Sequence, residues 1–130
     1  GQFLSTDPNT RYETIQWLMW QMGGVGPMFG QVGFFNKFAG REDKRPRDRY
    51  VSESARLLGV LDSRLAIRDW VMDDGYSIAD ISLLGWVRNL IGFYEARELV
   101  RFDRFTHVRR WLDRGLARPA VQRGLEVTAA

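Results

Sequence analysis

Few residues in this chain can do chemistry. Cysteine is absent, so the chain has no disulfide, thiolate metal ligand or cysteine nucleophile of its own. His107 is the only histidine. It stands between Thr106 and Val108 without a positioned partner, and reads as structural or exposed rather than as a general base. No metal-ligand spacing is present, and no metal is expected. Arg49 is a permanent cation that either pairs with Glu53 one helical turn on or stays free for a ligand. Gln21 lies beside a glycine run, where a polar side chain either faces a ligand cleft or bonds carbonyls freed at a helix end. Phe29, Phe34 and Phe35 either fill a core or line an apolar pocket.

The elements that must position these groups are helical. Ile15, Leu18, Met19 and Met22 form one apolar stripe, widened by Trp17 and Trp20, with Asp7-Pro8 or Asn9 able to cap its start. Gly23-Gly24-Val25-Gly26-Pro27 would break a helix in isolation. Met28, Phe29, Val32 and Phe35 resume the pattern afterwards. The prediction is one long first helix, kinked or locally unwound at glycines that let another backbone approach closely. Residues 36–46, charged and holding Gly40 and Pro46, predict a loop. Tyr50, Ser54, Leu57, Leu58, Leu61 and Leu65 mark a second helix, and Asp73-Asp74-Gly75 a turn.

Ser77-Ile78-Ala79-Asp80 reads as a capping box with aspartate in the usual Glu/Gln place, flanked by Tyr76 and Ile81 at the staple positions. It opens a third helix, through Ile78, Ile81, Leu84, Val87 and Ile91, whose run 81–86 is apolar on nearly all sides. That helix is predicted to be central and buried, with Gly85 permitting tight helix contact. Capping already occupies Asp80, so it is assigned no catalysis. A short helix or turn at 93–101, an amphipathic helix at 104–115 and a last helix opened by Pro119 complete the chain. No segment alternates with period two, so the fold class is all-α.

At 130 residues, 45% hydrophobic and 27% charged, the chain suits one domain spanning 1–130. No apolar run approaches the roughly 20 residues needed to cross a bilayer, so no membrane role is expected. The net charge is +3, and arginine far outnumbers lysine. Mixed-sign runs such as Arg41-Glu42-Asp43-Lys44-Arg45 read as solvated helix faces, so nucleic acid is not an expected partner.

Tyr76-Ser77-Ile78-Ala79-Asp80 resembles the capping box and staple of the central C-terminal-domain helix of glutathione transferases. The block Gln16–Met28, with its tryptophans and glycines, resembles the first C-terminal-domain helix of the bacterial Nu-class enzymes, which have disulfide-bond reductase activity. Arg49-Tyr50 with Glu53 and Arg56-Leu57 resembles their next helix, and Trp111 with Arg118-Pro119-Ala120-Val121 their closing segment.

The resemblance implies a helical bundle that forms the electrophile-side wall of a glutathione site. Arg49 would point at the glutathione sulfur or a carboxylate, and Gln21 would lie near the site. Phe29, Phe34 and Phe35 would line the pocket of a small electrophile or disulfide. Family members often carry two histidines where this chain has Gly33-Phe34, which implies a more apolar second-substrate pocket here. The resemblance further implies a cytoplasmic homodimer, with glutathione held mainly by an N-terminal thioredoxin-like domain whose strand pattern is absent from 1–130. On that expectation the chain alone is nearly inactive. The alternative is a stand-alone helical protein-interaction module without catalysis.

Overall fold

The computed structural model describes residues 2–39 and 44–127. Among the described residues there is no strand, only an isolated bridge between Met72 and Gly75 beside the expected turn. No helix among them is long and apolar enough to cross a membrane.

The glycine run does not break the first helix. Helix α1 (Pro8–Trp20) continues through a π-helical segment, Gln21–Val25, into α2 (Gly26–Gly33) and a second π-helical segment, Phe34–Phe38. Asp7 caps the start, accepting the Thr10 N–H at 2.9 Å, with Pro8 in the first turn. In each π segment the bonds run to the fifth residue back: Gly26 N donates to Gln21 O, and Ala39 N to Phe34 O at 2.8 Å. A π turn inserts one residue, so the faces on either side of it point differently. Local unwinding is therefore what the glycines accommodate. What approaches them is a side chain rather than a backbone: a Cβ on Gly26 would lie 3.2 Å from the Trp86 ring.

The extra residues also change which apolar positions are covered. Met19 and Met22 of the predicted stripe are exposed, and Thr14 is the buried residue of α1. Beyond the first π segment, Val25, Phe29 and Val32 supply the core face instead. Among its described residues, the expected loop at 36–46 is largely helical. Its start belongs to the second π segment, and α3 (Lys44–Arg64) begins at Lys44 with Pro46 in its first turn, where no intrahelical N–H is needed. Residues 40–43, the middle of that stretch, lie outside the described residues.

Helix α3 turns Ser54, Leu57, Leu58 and Leu61 inward and packs on α2, while α4 (Ile78–Ile91), packed on α1 and α2, buries Leu83, Leu84, Val87 and Leu90. The central helix is thus buried along one face, while Ile81 and Gly85 point outward. Gly85 makes no tight contact, since nothing lies within 4 Å of where its Cβ would be. Close packing occurs at Gly115 of α5 (Thr106–Leu116), whose Cβ would lie 2.8 Å from Leu84 Cδ1. Residues 93–101 form turns and no helix, and α6 (Pro119–Val127) starts at its proline as expected.

Both halves of the capping box are made. The Ser77 hydroxyl accepts the Ala79 N–H at 3.2 Å, and Asp80 Oδ2 accepts the Ser77 N–H at 2.9 Å. Asp80 also serves two more distant donors, Val71 N at 3.0 Å and Trp111 Nε1 at 2.8 Å. Burial pushes the Asp80 carboxyl above its ordinary range, and the four donors around it offset part of that rise. The staple is different from the one expected. Ile81 is 47% exposed, and Tyr76 instead packs edge-on against Trp70 at 4.8 Å and beneath the Arg118 guanidinium at 3.8 Å.

Helix α5 has no capping side chain of its own. Asp62 of α3 reaches across, and its Oδ1 accepts His107 N at 2.9 Å and Val108 N at 3.0 Å. His107 therefore contributes a backbone N–H to a helix cap, consistent with a structural position.

Candidate functional site

Helix α3 presents Arg49 near its start, on the solvent side. Glu53 does not pair with it. The Glu53 carboxylate is forked by Arg56, through Nε and Nη2 at 2.8 Å each. That bidentate bond holds the Glu53 carboxyl below its ordinary range, with the Arg49 charge a smaller contribution. Arg49 itself makes no hydrogen bond or ion pair among the described residues. Its guanidinium lines a groove of about 420 Å³ together with Met28, Tyr50, Ser52 and Glu53.

Tyr50 joins this groove to the aromatic residues of the second π segment. Its ring stacks on Phe35 at 5.7 Å and 13°. Phe34 meets Phe35 edge-on at 5.1 Å and is 50% exposed. Tyr50 thus touches both the Arg49 groove and the Phe34–Phe35 pair, of which Phe34 turns to solvent and Phe35 packs on α3. Phe29, one α-helical stretch earlier, is 1% exposed within the core.

Gln21 lies elsewhere. It opens the first π segment, is 4% exposed, and makes no side-chain hydrogen bond among the described residues. The helix continues past it, so Gln21 does not stand at a helix end. The carboxamide lies in the floor of a separate groove of about 660 Å³ between α2 and α4, walled by Met22, Pro27, Ser82 and Trp86. The structure therefore brings Phe34 and Phe35 together with Arg49, and places Gln21 on the other side of α2. Tyr50, Met28 and Trp86 are the lining residues that sequence reasoning missed. The sequence places Tyr50 in a helical stripe and in the Arg49-Tyr50 block without giving it a site role, yet its position next to Arg49 was the available signal. No cluster among the described residues could hold a metal ion.

Residues 25–119 match the family described as Glutathione S-transferase, C-terminal domain. The chain is 37% identical over 126 residues to the Disulfide-bond oxidoreductase YghU of Escherichia coli strain K12, covering 95% of this chain and 44% of that protein. It is 38% identical over 125 residues to the Disulfide-bond oxidoreductase YfcG of the same strain, covering 96% and 56%. A glutathione transferase of Pseudomonas putida, solved with one glutathione disulfide per subunit, superposes with a TM-score of 0.94 at 64% identity, covering 98% of this chain and 56% of that one. One from Burkholderia graminis, solved with two glutathione molecules per subunit, gives 0.95 at 64% identity, covering 97% and 53%. The chain spans about half the length of the relatives it matches.

Proposed function

The chain belongs to the glutathione S-transferase family as its C-terminal helical domain, and on that premise we propose that it forms the second-substrate side of the glutathione site in a glutathione-dependent disulfide-bond reductase or transferase. Arg49 carries the proposal. An unpaired guanidinium in a groove with Met28 and Tyr50 offers a fixed positive charge beside apolar surface. That combination suits a thiolate or carboxylate attached to an apolar reaction partner.

The chemistry is thiol–disulfide exchange. A glutathione thiolate attacks one sulfur of the substrate disulfide, forming a mixed disulfide and expelling a substrate thiolate, which takes up a proton. A second glutathione thiolate then attacks the mixed disulfide, releasing the other substrate thiol and glutathione disulfide. Relatives solved with two glutathiones or one glutathione disulfide per subunit support a site with room for a second glutathione beside the first. In the transferase variant the same thiolate forms a bond to an electrophilic carbon and displaces its leaving group. Arg49 stabilises the attacking sulfur as thiolate or orients a glutathione carboxylate, while Phe34 and Phe35 hold the second substrate.

Glutathione itself is proposed to sit mainly on a thioredoxin-like domain. The α2–α4 groove, with the unpartnered Gln21 amide in its floor and Trp86 on its side, is the face assigned to that domain. A cytoplasmic homodimer completes the proposal. The half-buried Trp17–Trp20 pair, 5.2 Å apart in a groove between α1 and α3, supports this helix pair as the contact between copies.

The test is glutathione-dependent reduction of bis(hydroxyethyl) disulfide by the protein expressed from its complete reading frame. Turnover with glutathione disulfide as product supports the assignment. No turnover of that disulfide or of an aryl halide, together with capture of a protein partner, would favour an interaction module instead.

A further inference from the structure

The surface beside Arg49 depends on a residue that touches none of its groove. Tyr94 follows α4, and its ring lies against Gly33 so closely that a Cβ there would sit 2.5 Å from Cδ1 and 2.6 Å from Cε1. The ring occupies the space a side chain at 33 would need. The same turn grips the next helical turn of the π segment. Asn36 Nδ2 donates to Tyr94 O at 2.9 Å, and Lys37 Nζ donates to Phe93 O at 2.6 Å. Lys37 Nζ also lies 4.3 Å above the Phe93 ring. Tyr94 is tied back to the central helix, since its N–H donates to Asn89 O at 2.8 Å.

We propose that Tyr94 is a positioning residue for the second substrate: by filling the notch at Gly33 it fixes the Phe34–Phe38 turn, and so keeps an aromatic wall of Phe34 and Phe35 beside Arg49 that favours an aryl electrophile or aryl disulfide over a small hydrophilic one. The inference rests on the glutathione reading above. Its physical basis is that Tyr94 holds the helix on both sides of the two rings, by packing on Gly33 just before them and by accepting the Asn36 amide just after them, so a shift of either contact carries Phe34 and Phe35 with it. Phe34 and Phe35 bear no polar side-chain group, so a hydrophilic partner would strip water from itself against this wall without compensating bonds. An aryl group would instead stack on it.

The test measures steady-state KM for glutathione, for a chlorodinitrobenzene and for bis(hydroxyethyl) disulfide, using the protein from its complete reading frame. Tyr94→Ala should raise the aryl KM by about tenfold, with the KM values for glutathione and the hydrophilic disulfide within about twofold of wild type. Phe34→Ala should raise the aryl KM at least as much, and the double variant should be no worse than Phe34→Ala alone, because both act through one wall. Tyr94→Phe keeps the ring and should restore the wild-type values. If Tyr94→Ala does not fold, Gly33→Ala displaces the ring from the other side and should give the same signature. Parallel changes in all three KM values, additive effects in the double variant, or an unchanged aryl KM would overturn the role of Tyr94. Absence of any glutathione-dependent turnover by the wild type would instead overturn the glutathione reading itself.

Discussion

Trp111 donates its indole N–H to Asp80 Oδ1 across 2.8 Å, with both side chains fully buried, and so ties α5 to the opening turn of the central helix. The same carboxylate receives Val71 N, Ser77 N and the Ser77 hydroxyl. Asp80 is thus the point at which the cap of α4, the segment before it and α5 meet. Removing the carboxylate leaves several buried donors without acceptors, each costing about 1–3 kcal/mol. Asp80→Ala should therefore destabilise the fold by about 4 kcal/mol, and Trp111→Phe by about 2 kcal/mol, read from urea unfolding by circular dichroism.

The titration of Asp80 gives this network a pH dependence. Burial raises its pKa in the folded state, so folding favours the protonated form. The stabilisation is fully present below the unfolded carboxyl pKa and is lost as pH rises through the folded one. Asp80→Asn cannot titrate, so the stability advantage of wild type over this variant should be largest near about pH 4 and narrow toward neutrality. An advantage that widens with pH would contradict the sign.

Asp62 should behave as a helix cap although it is 45 residues from the helix it caps. Asp62→Ala leaves the His107 and Val108 N–H groups without their acceptor. It should cost about 1–2 kcal/mol in the same unfolding measurement, whereas His107→Ala, which keeps the backbone N–H, should cost clearly less.

Two glycines should respond in opposite directions. Gly85 is exposed on α4 with open space around it, so Gly85→Ala should stabilise by about 0.5–1 kcal/mol through helix propensity. Gly115 faces Leu84 of the core, and Gly115→Ala should destabilise by about 1–3 kcal/mol through overpacking. Thermal melts of the two variants check both signs.

Helix periodicity made much of this fold legible before any coordinates. The box at Ser77–Asp80, the proline at 119 and the inward leucines of α3 are local signals, and each lies where its spacing indicated. The π segments were not legible. Their register is stabilised by Trp86 against Gly26 and Tyr94 against Gly33, contacts with side chains about sixty residues away in the chain. The three phenylalanines show the consequence. Phe29, Phe34 and Phe35 are chemically identical, yet Phe29 is in the core, Phe34 is exposed and Phe35 stacks on Tyr50, a division set by what packs on each face of the helix. Arg49 is the reverse case: its helical spacing to Glu53 suggested a partner, but Arg56 takes that carboxylate with better geometry.

The most direct test of the account is Arg49→Ala in the protein from its complete reading frame, assayed for glutathione-dependent disulfide reduction. Arg49 lies on the solvent side and makes no bond among the described residues, so the variant should melt as wild type does. Its kcat/KM should fall by about tenfold or more, the loss of one charge-assisted contact in the transition state. An unchanged kcat/KM in a folded variant would contradict the placement of Arg49 at the chemistry.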